Sequence, residues 1–125
     1  MDTISFDEFG KVDIRIGTVI KAEVPKWSHW VIKLKVDFGP EIGKKVCFSG
    51  IMKFFKPKDL EGKQFPLVVN LEPKTIGPDK ELSECMMIMA VPSLKASDGK
   101  PVPEEEVKPI LFELQEKVPN GTRVR

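Results

Sequence analysis

Histidine and cysteine are scarce in this chain, and their scarcity removes several chemistries at once. His29 is the only histidine, and Cys47 and Cys85 are the only cysteines. A structural zinc site takes four nitrogen or sulfur ligands, commonly with CxxC spacing, which neither cysteine has. No metal and no cofactor is expected. Neither His29 nor either cysteine stands in a local catalytic motif, so no catalytic residue is assigned. A Cys–His pair assembled in three dimensions is the one nucleophilic arrangement left open. Both thiols fall in apolar, strand-like runs, where a buried free cysteine in a reducing compartment is the expected state.

Also missing is any apolar run approaching the roughly 20 residues of a membrane helix, so no membrane contact is expected. Met1-Asp2-Thr3-Ile4-Ser5 lacks the basic and apolar regions of a signal peptide, which sets the expectation of a cytoplasmic protein. A strong charge of one sign is absent as well, since the formal net charge is +1. Its distribution is uneven: residues 21–80 hold 12 lysines against 7 acids, and residues 81–117 hold 4 lysines against 8 acids. A polyanion would meet a local basic face; Lys-rich solubilisation is the plainer use of the same residues.

What is present is 125 residues, 41% of them hydrophobic and 31% charged, enough for one domain with a real core. Ser5-Phe6-Asp7-Glu8 has the form of a capping box, and a helical turn is expected over Ser5–Phe9, with Phe6 and Phe9 on one face against the barrel or a partner subunit. Strands are expected over Lys11–Val24, Val31–Phe38, Lys45–Ser49, Phe65–Leu71 and Cys85–Val91. In the first two, apolar residues alternate with charged ones at the period of a half-buried strand. Gly17 is expected to mark a bulge or bend. Pro57–Gly62 predicts one helical turn. Pro92–Lys108 is proline-rich and carries Glu104-Glu105-Glu106, so an exposed loop is expected there, followed by a short strand at Ile110–Leu114 and a turn at Pro119-Asn120-Gly121. Short strands with a small helix between the third and fourth predict an all-β protein, specifically an OB-fold five-stranded barrel. The domain is expected to be single, with a core over about residues 6–91 and an extension over 92–125.

The segment Val68–Met86 concentrates binding chemistry. Asn70 offers an amide, Lys74 an ammonium, Ser83 a hydroxyl and Met86 a polarizable thioether, with a polar loop at Pro78–Leu82 between two apolar strands. None of these forms an acid–base pair. Together they can hydrogen-bond, meet a phosphate and lie against a flat ring. Alternation means that only one of Met86 and Met87 points outward. On the second strand Lys33 and Lys35 share a face about 7 Å apart, close to the spacing of successive phosphates. The solvated face of an amphipathic strand is the competing use. Trp27, His29 and Trp30 form an aromatic loop able to stack on a base, hold an apolar peptide or sit in a dimer interface. Lys53, Lys56, Lys58 and Lys63 surround Phe54-Phe55, for which pinning the small helix to the barrel is the competing use.

Phe9-Gly10-Lys11-Val12-Asp13-Ile14-Arg15-Ile16-Gly17, Lys33-Leu34-Lys35-Val36-Asp37-Phe38-Gly39, Ser49-Gly50-Ile51, Val69-Asn70-Leu71-Glu72-Pro73-Lys74, Gly77 and Ser83-Glu84-Cys85-Met86 occur in an order that resembles the tRNA-binding domain family. That family is an OB-fold module found alone and appended to some aminoacyl-tRNA synthetases. The resemblance covers roughly residues 6–91, with an echo at Val118-Pro119-Asn120-Gly121-Thr122. Asp37-Phe38-Gly39-Pro40-Glu41-Ile42-Gly43 and the closing segment look like its stand-alone, CsaA-like branch. The chain departs from the family at His29-Trp30-Val31, at Ile76, in the longer Pro78–Leu82 loop, and at Cys85, where glycine is usual.

The resemblance implies a non-catalytic homodimer that binds tRNA or another structured RNA through Lys33, Lys35, Asn70, Lys74, Ser83 and Met86. It also implies two alternatives. One is an export-related chaperone that takes unfolded peptides or preproteins around Trp27 and Trp30. The other is an assembly module for an aminoacyl-tRNA synthetase.

Overall fold

The computed structural model describes residues 1–125. Strand β1 (Ile14–Glu23) is the long central element, and its length lets one half pair with one neighbour and the other half with a second. It pairs antiparallel with β2 (Ile32–Asp37) on one side and β4 (Gln64–Val68) on the other. Strand β3 (Lys44–Ser49) extends the sheet beyond β2, and β7 (Met86–Met87) extends it beyond β4. The order β3-β2-β1-β4-β7 curls into a nearly closed five-stranded barrel of the OB type. Ile32, Leu34 and Val36 from β2 meet Val19, Cys47, Phe65, Leu67 and Met87 in its core.

The gap between β3 and the chain before β7 is closed largely by side chains rather than by a full ladder. The Glu84 N–H donates to the Val46 carbonyl at 2.8 Å. The Val46 N–H donates to Glu84 Oε1 at 3.3 Å, and the Phe48 N–H donates to Ser83 Oγ at 3.1 Å. Ser83-Glu84 is therefore a seam that satisfies edge amides which would otherwise be left open.

Two short helices flank the strands. Helix α1 (Phe6–Gly10) has the expected reciprocal capping box between Ser5 and Glu8. It buries none of its residues, and Phe6 is 91% exposed, so the expected packing of Phe6 on the barrel does not occur. Helix α2 (Gly39–Ile42) is a single turn where only a strand end was expected, started by Pro40 in its first turn. A 3-10 turn at Pro57–Asp59 supplies the small helix between β3 and β4, and Leu60 behind it is fully buried.

Gly17 does not make the bulge expected of it. It stays in the ladder opposite Phe65, and the irregularity lies further on, between Val19 and Lys21. A Cβ at Gly17 would collide with Val36 and with the Phe38 ring, at 2.8 Å for the latter. Close approach of side chains from the neighbouring strand is what selects glycine there.

Other boundaries also shift. The loop expected at Pro78–Leu82 is part of a hairpin, β5 (Lys74–Ile76) with β6 (Glu81–Ser83). The strand expected over Cys85–Val91 changes partner midway: β7 pairs with β4, whereas β8 (Met89–Ala90) pairs with β9 (Ile110–Leu111). The strand expected over Phe65–Leu71 ends at Val68. Within residues 92–108, Lys95 bridges Pro101 and Glu104–Glu106 forms a 3-10 turn, while Val107 is buried.

The tail returns to the barrel. Strand β10 (Arg123–Val124) pairs with the start of β1. Buried Gln64 reads the preceding turn: its Nε2 donates to the Val118 carbonyl at 2.7 Å and its Oε1 accepts from the Val118 N–H at 3.0 Å. Asn120 Oδ1 accepts from Thr18 Oγ1 at 2.7 Å and from Gln64 Nε2 at 3.0 Å. Arg15 donates to the Gly121 carbonyl at 3.0 Å and to Asp13 at 2.7 Å, and the Asp13 bond raises its guanidinium pKa further above the ordinary range.

Candidate functional site

The alternation that buries Ile32, Leu34 and Val36 necessarily turns Lys33 and Lys35 outward on β2. Across the ladder Lys35 faces Lys21, and Lys33 faces Glu23, both on β1. Lys21, Glu23, Lys33, Lys35 and Val46 line a shallow concavity of about 250 Å³. Lys33 is not free within it. Its Nζ lies 2.6 Å from Glu81 Oε2, and that carboxylate comes from β6 of the hairpin. Lys35 is exposed.

The hairpin is held over this face by an aromatic contact. Trp27 is half-buried, with its ring 6.2 Å from Phe48 and 5.8 Å, edge-on, from Trp30. Gly77 at the hairpin tip abuts the Trp27 indole so closely that a Cβ there would stand 2.5 Å from it. Trp30 is 56% exposed, so the outer member of the aromatic pair presents its surface to solvent.

Beside the hairpin, Lys74, Ser83 and Met86 line a groove of about 400 Å³ together with Phe48, Leu71 and Ile76. Lys74 and Ser83 are register partners across β5 and β6. A second, wider groove of about 620 Å³ lies on the other side of Phe48 and Met86. It is floored by Ile51, Phe54, Met89 and Val91 and edged by Glu104 and Glu105. As alternation requires, Met86 is exposed and Met87 is buried.

Asn70 is placed differently from the other candidates. Its Oδ1 accepts from the Asp13 N–H at 2.8 Å and its Nδ2 donates to the Lys11 carbonyl at 2.6 Å, so the amide braces the end of β4 against the start of β1. Ser83 Oγ is engaged at the seam and retains its hydroxyl proton for a further bond.

The structure therefore gathers Lys33 and Lys35 on one face, and Lys74, Ser83 and Met86 along one groove, with Trp27 and Trp30 between face and hairpin. Phe48, Lys21 and Glu81 join them without having been singled out from the sequence. Phe48 had no readable signal: Val46 and Phe48 alternate with Lys45, Cys47 and Ser49, a pattern that suggests the ring faces inward, whereas the strand buries Cys47 and Ser49 instead. Glu81 had none either, because its role depends on a hairpin that the short polar segment did not announce.

Residues 14–123 match the family described as "Putative tRNA binding domain". The chain is 32% identical over 124 residues to methionine–tRNA ligase 1 of Bacillus anthracis, covering 99% of this chain and 16% of that protein. It thus spans about one sixth of the length of that relative. Two solved structures superpose along the whole chain. A MetRS-related protein from Pyrococcus horikoshii has a TM-score of 0.77 at 37% identity, covering 100% of both chains. The chaperone CsaA from Bacillus anthracis has a TM-score of 0.79 at 32% identity, covering 99% of this chain and 100% of that one.

Proposed function

This chain belongs to the tRNA-binding domain family, and on that premise we propose that it is a non-catalytic module that binds tRNA through phosphate and shape contacts. The observation that carries the reading is the adjacency of two kinds of surface. Lys21, Lys33 and Lys35 form a cationic strand face, and the groove of Lys74, Phe48 and Met86 lies next to it. Ammonium groups neutralise backbone phosphates without reading sequence, while exposed apolar and aromatic surface accepts unpaired bases. Trp30 adds a stacking plane at the rim.

The test is a titration of tRNA against Lys33→Ala plus Lys74→Ala at several salt concentrations. Two phosphate contacts fewer should weaken binding and flatten the slope of log K against log salt by about 1.4 to 1.8. Unchanged affinity and slope in the folded double variant would remove this surface as the RNA site.

The module acts as a homodimer in this reading. Phe6, Phe9 and Val12 stand exposed at 91%, 44% and 40% on one short segment, which is apolar surface suited to a second copy. Phe6→Ser with Phe9→Ser should then give a monomer in analytical ultracentrifugation. The two buried free thiols support the cytoplasm as its compartment.

A second reading, capture of unfolded peptide or preprotein segments, is favoured by the wide apolar groove beside Met86. Binding of that kind would respond little to salt and would survive the double lysine variant. A third, service as an assembly module for an aminoacyl-tRNA synthetase, is supported by the similarity to part of methionine–tRNA ligase 1. Co-purification with a synthetase would establish it.

A further inference from the structure

The cation best placed for a phosphate on the β2 face is already occupied by a carboxylate of the same chain. Lys33 Nζ and Glu81 Oε2 are 2.6 Å apart, with about a quarter to a third of each side chain exposed. Glu81 does not reach this position by chance rotation of a surface side chain. It lies on β6, opposite Ile76 of β5. The hairpin tip is fixed by Gly77 against Trp27 and by a turn in which the Lys80 N–H donates to the Gly77 carbonyl at 3.2 Å. The base of the hairpin is fixed by the seam through Ser83 and Glu84. Both ends of the short strand that carries Glu81 are thus anchored to other parts of the fold.

We propose that Glu81 is an attenuating residue: it holds Lys33 until a phosphate displaces it, so every RNA seated on Lys33 binds more weakly by the cost of breaking that pair. This rests on the RNA-binding reading of the same face. The charges that decide the exchange are few. Lys21, Lys33 and Lys35 face Glu23 and Glu81, and Lys21 also approaches Glu23 at 3.9 Å. With both carboxylates present the patch has one net positive charge, too little to collect polyanions indiscriminately. Without Glu81 it has two.

A flexible single strand offers one phosphate at a time to Lys33 and must compete with a carboxylate that is already in place and tethered. A folded RNA that simultaneously meets Lys35, Lys74 and the Phe48–Met86 surface brings its phosphate at a high local concentration. That ligand can displace Glu81, because the additional contacts are made only when its shape fits. Displacement costs either ligand the same Lys33–Glu81 pair, so Glu81 acts through Lys33 to lower the affinity of this face for polyanions in general, and a matched RNA prevails through its additional contacts.

The experiment compares wild type, Glu81→Gln, Lys33→Ala and the Glu81→Gln plus Lys33→Ala double variant, each titrated with total tRNA and with poly(U). Circular dichroism establishes that each variant is folded. Glu81→Gln should tighten poly(U) binding by up to about fivefold, the range of one part-exposed ion pair, and steepen its salt slope by about 0.7. Its tRNA affinity should rise by a similar factor, because tRNA displaces the same carboxylate. Adding Lys33→Ala should abolish the gain on poly(U), an effect that a purely structural role for Glu81 would not produce. No gain on either RNA, or a gain that survives Lys33→Ala, would overturn the proposal. Failure of wild type to bind tRNA at all would instead overturn the RNA-binding reading.

Discussion

Asn70 and Asp13 are joined by a hydrogen bond across 57 positions of sequence: the Asp13 N–H donates to Asn70 Oδ1 at 2.8 Å. The other end of the same amide donates to the Lys11 carbonyl at 2.6 Å. One side chain thereby continues the β1–β4 pairing past the point where the backbones separate. A residue at a strand end that is chemically suited to a ligand is here engaged with its own chain at both ends.

Replacing Asn70 should accordingly be felt as lost stability before it is felt as lost binding. Asn70→Ala removes two bonds to backbone groups, each worth about 1 kcal/mol net. Asn70→Asp keeps the acceptor for Asp13 and loses the donor to Lys11. Urea unfolding should rank wild type above Asp and Asp above Ala. Equal midpoints for all three would show that the brace contributes nothing.

Gly77 combines a positive φ of 76° with the contact on Trp27. Gly77→Ala would suffer about 1 kcal/mol of left-handed strain and would also push the indole aside. Because the hairpin presents Glu81, its displacement should open the Lys33–Glu81 pair. Tryptophan fluorescence should shift, and poly(U) binding should rise as it does for Glu81→Gln. An Ala variant with native fluorescence and unchanged poly(U) affinity would contradict the docking role of Trp27.

Cys47 predicts a pH dependence. A hydrogen bond with Cys85, reinforced by burial, pushes its thiol pKa well above the usual value. Below the unfolded thiol pKa of about 8.5 both states are protonated and the full contribution is present. As pH rises beyond that, the unfolded chain ionises first, so stability falls until the folded thiol also ionises. Urea midpoints should decline as pH rises above about 8.5, and Cys47→Ala should lose that part of the decline while being less stable throughout. A parallel decline in Cys47→Ala would show that other groups cause it.

The barrel was legible because β2 alternates without interruption: Ile32, Leu34 and Val36 could only be inside if Lys33 and Lys35 were outside. Lys33 and Lys35 could be placed on a surface for the same reason. The β5–β6 hairpin was not legible, since Lys74-Thr75-Ile76 and Glu81-Leu82-Ser83 bury none of their residues fully and carry no core-facing period. Nor could alternation show that Met86–Ala90 changes partner from β4 to β9, because both halves remain extended. Asn70 and Ser83 illustrate a different barrier. Both are hydrogen-bonding side chains, but their partners, Asp13, Lys11 and Phe48, lie far away in sequence. Gly17 was read from its own strand, whereas Val36 and Phe38 on the neighbouring one dictate it.

The seam through Ser83 and Glu84 divides the cations of the candidate site: Lys33 and Lys35 lie on the β2–β3 side, and Lys74 lies on the hairpin side. A nucleic acid that touches both sides would work as a clasp across the weakest join of the barrel. Occupancy would then be recorded in the backbone itself. The amide protons of Val46 and Phe48, which leave the fold only when that join parts, should exchange more slowly with a bridging RNA bound, and no faster or slower with a ligand confined to one bank.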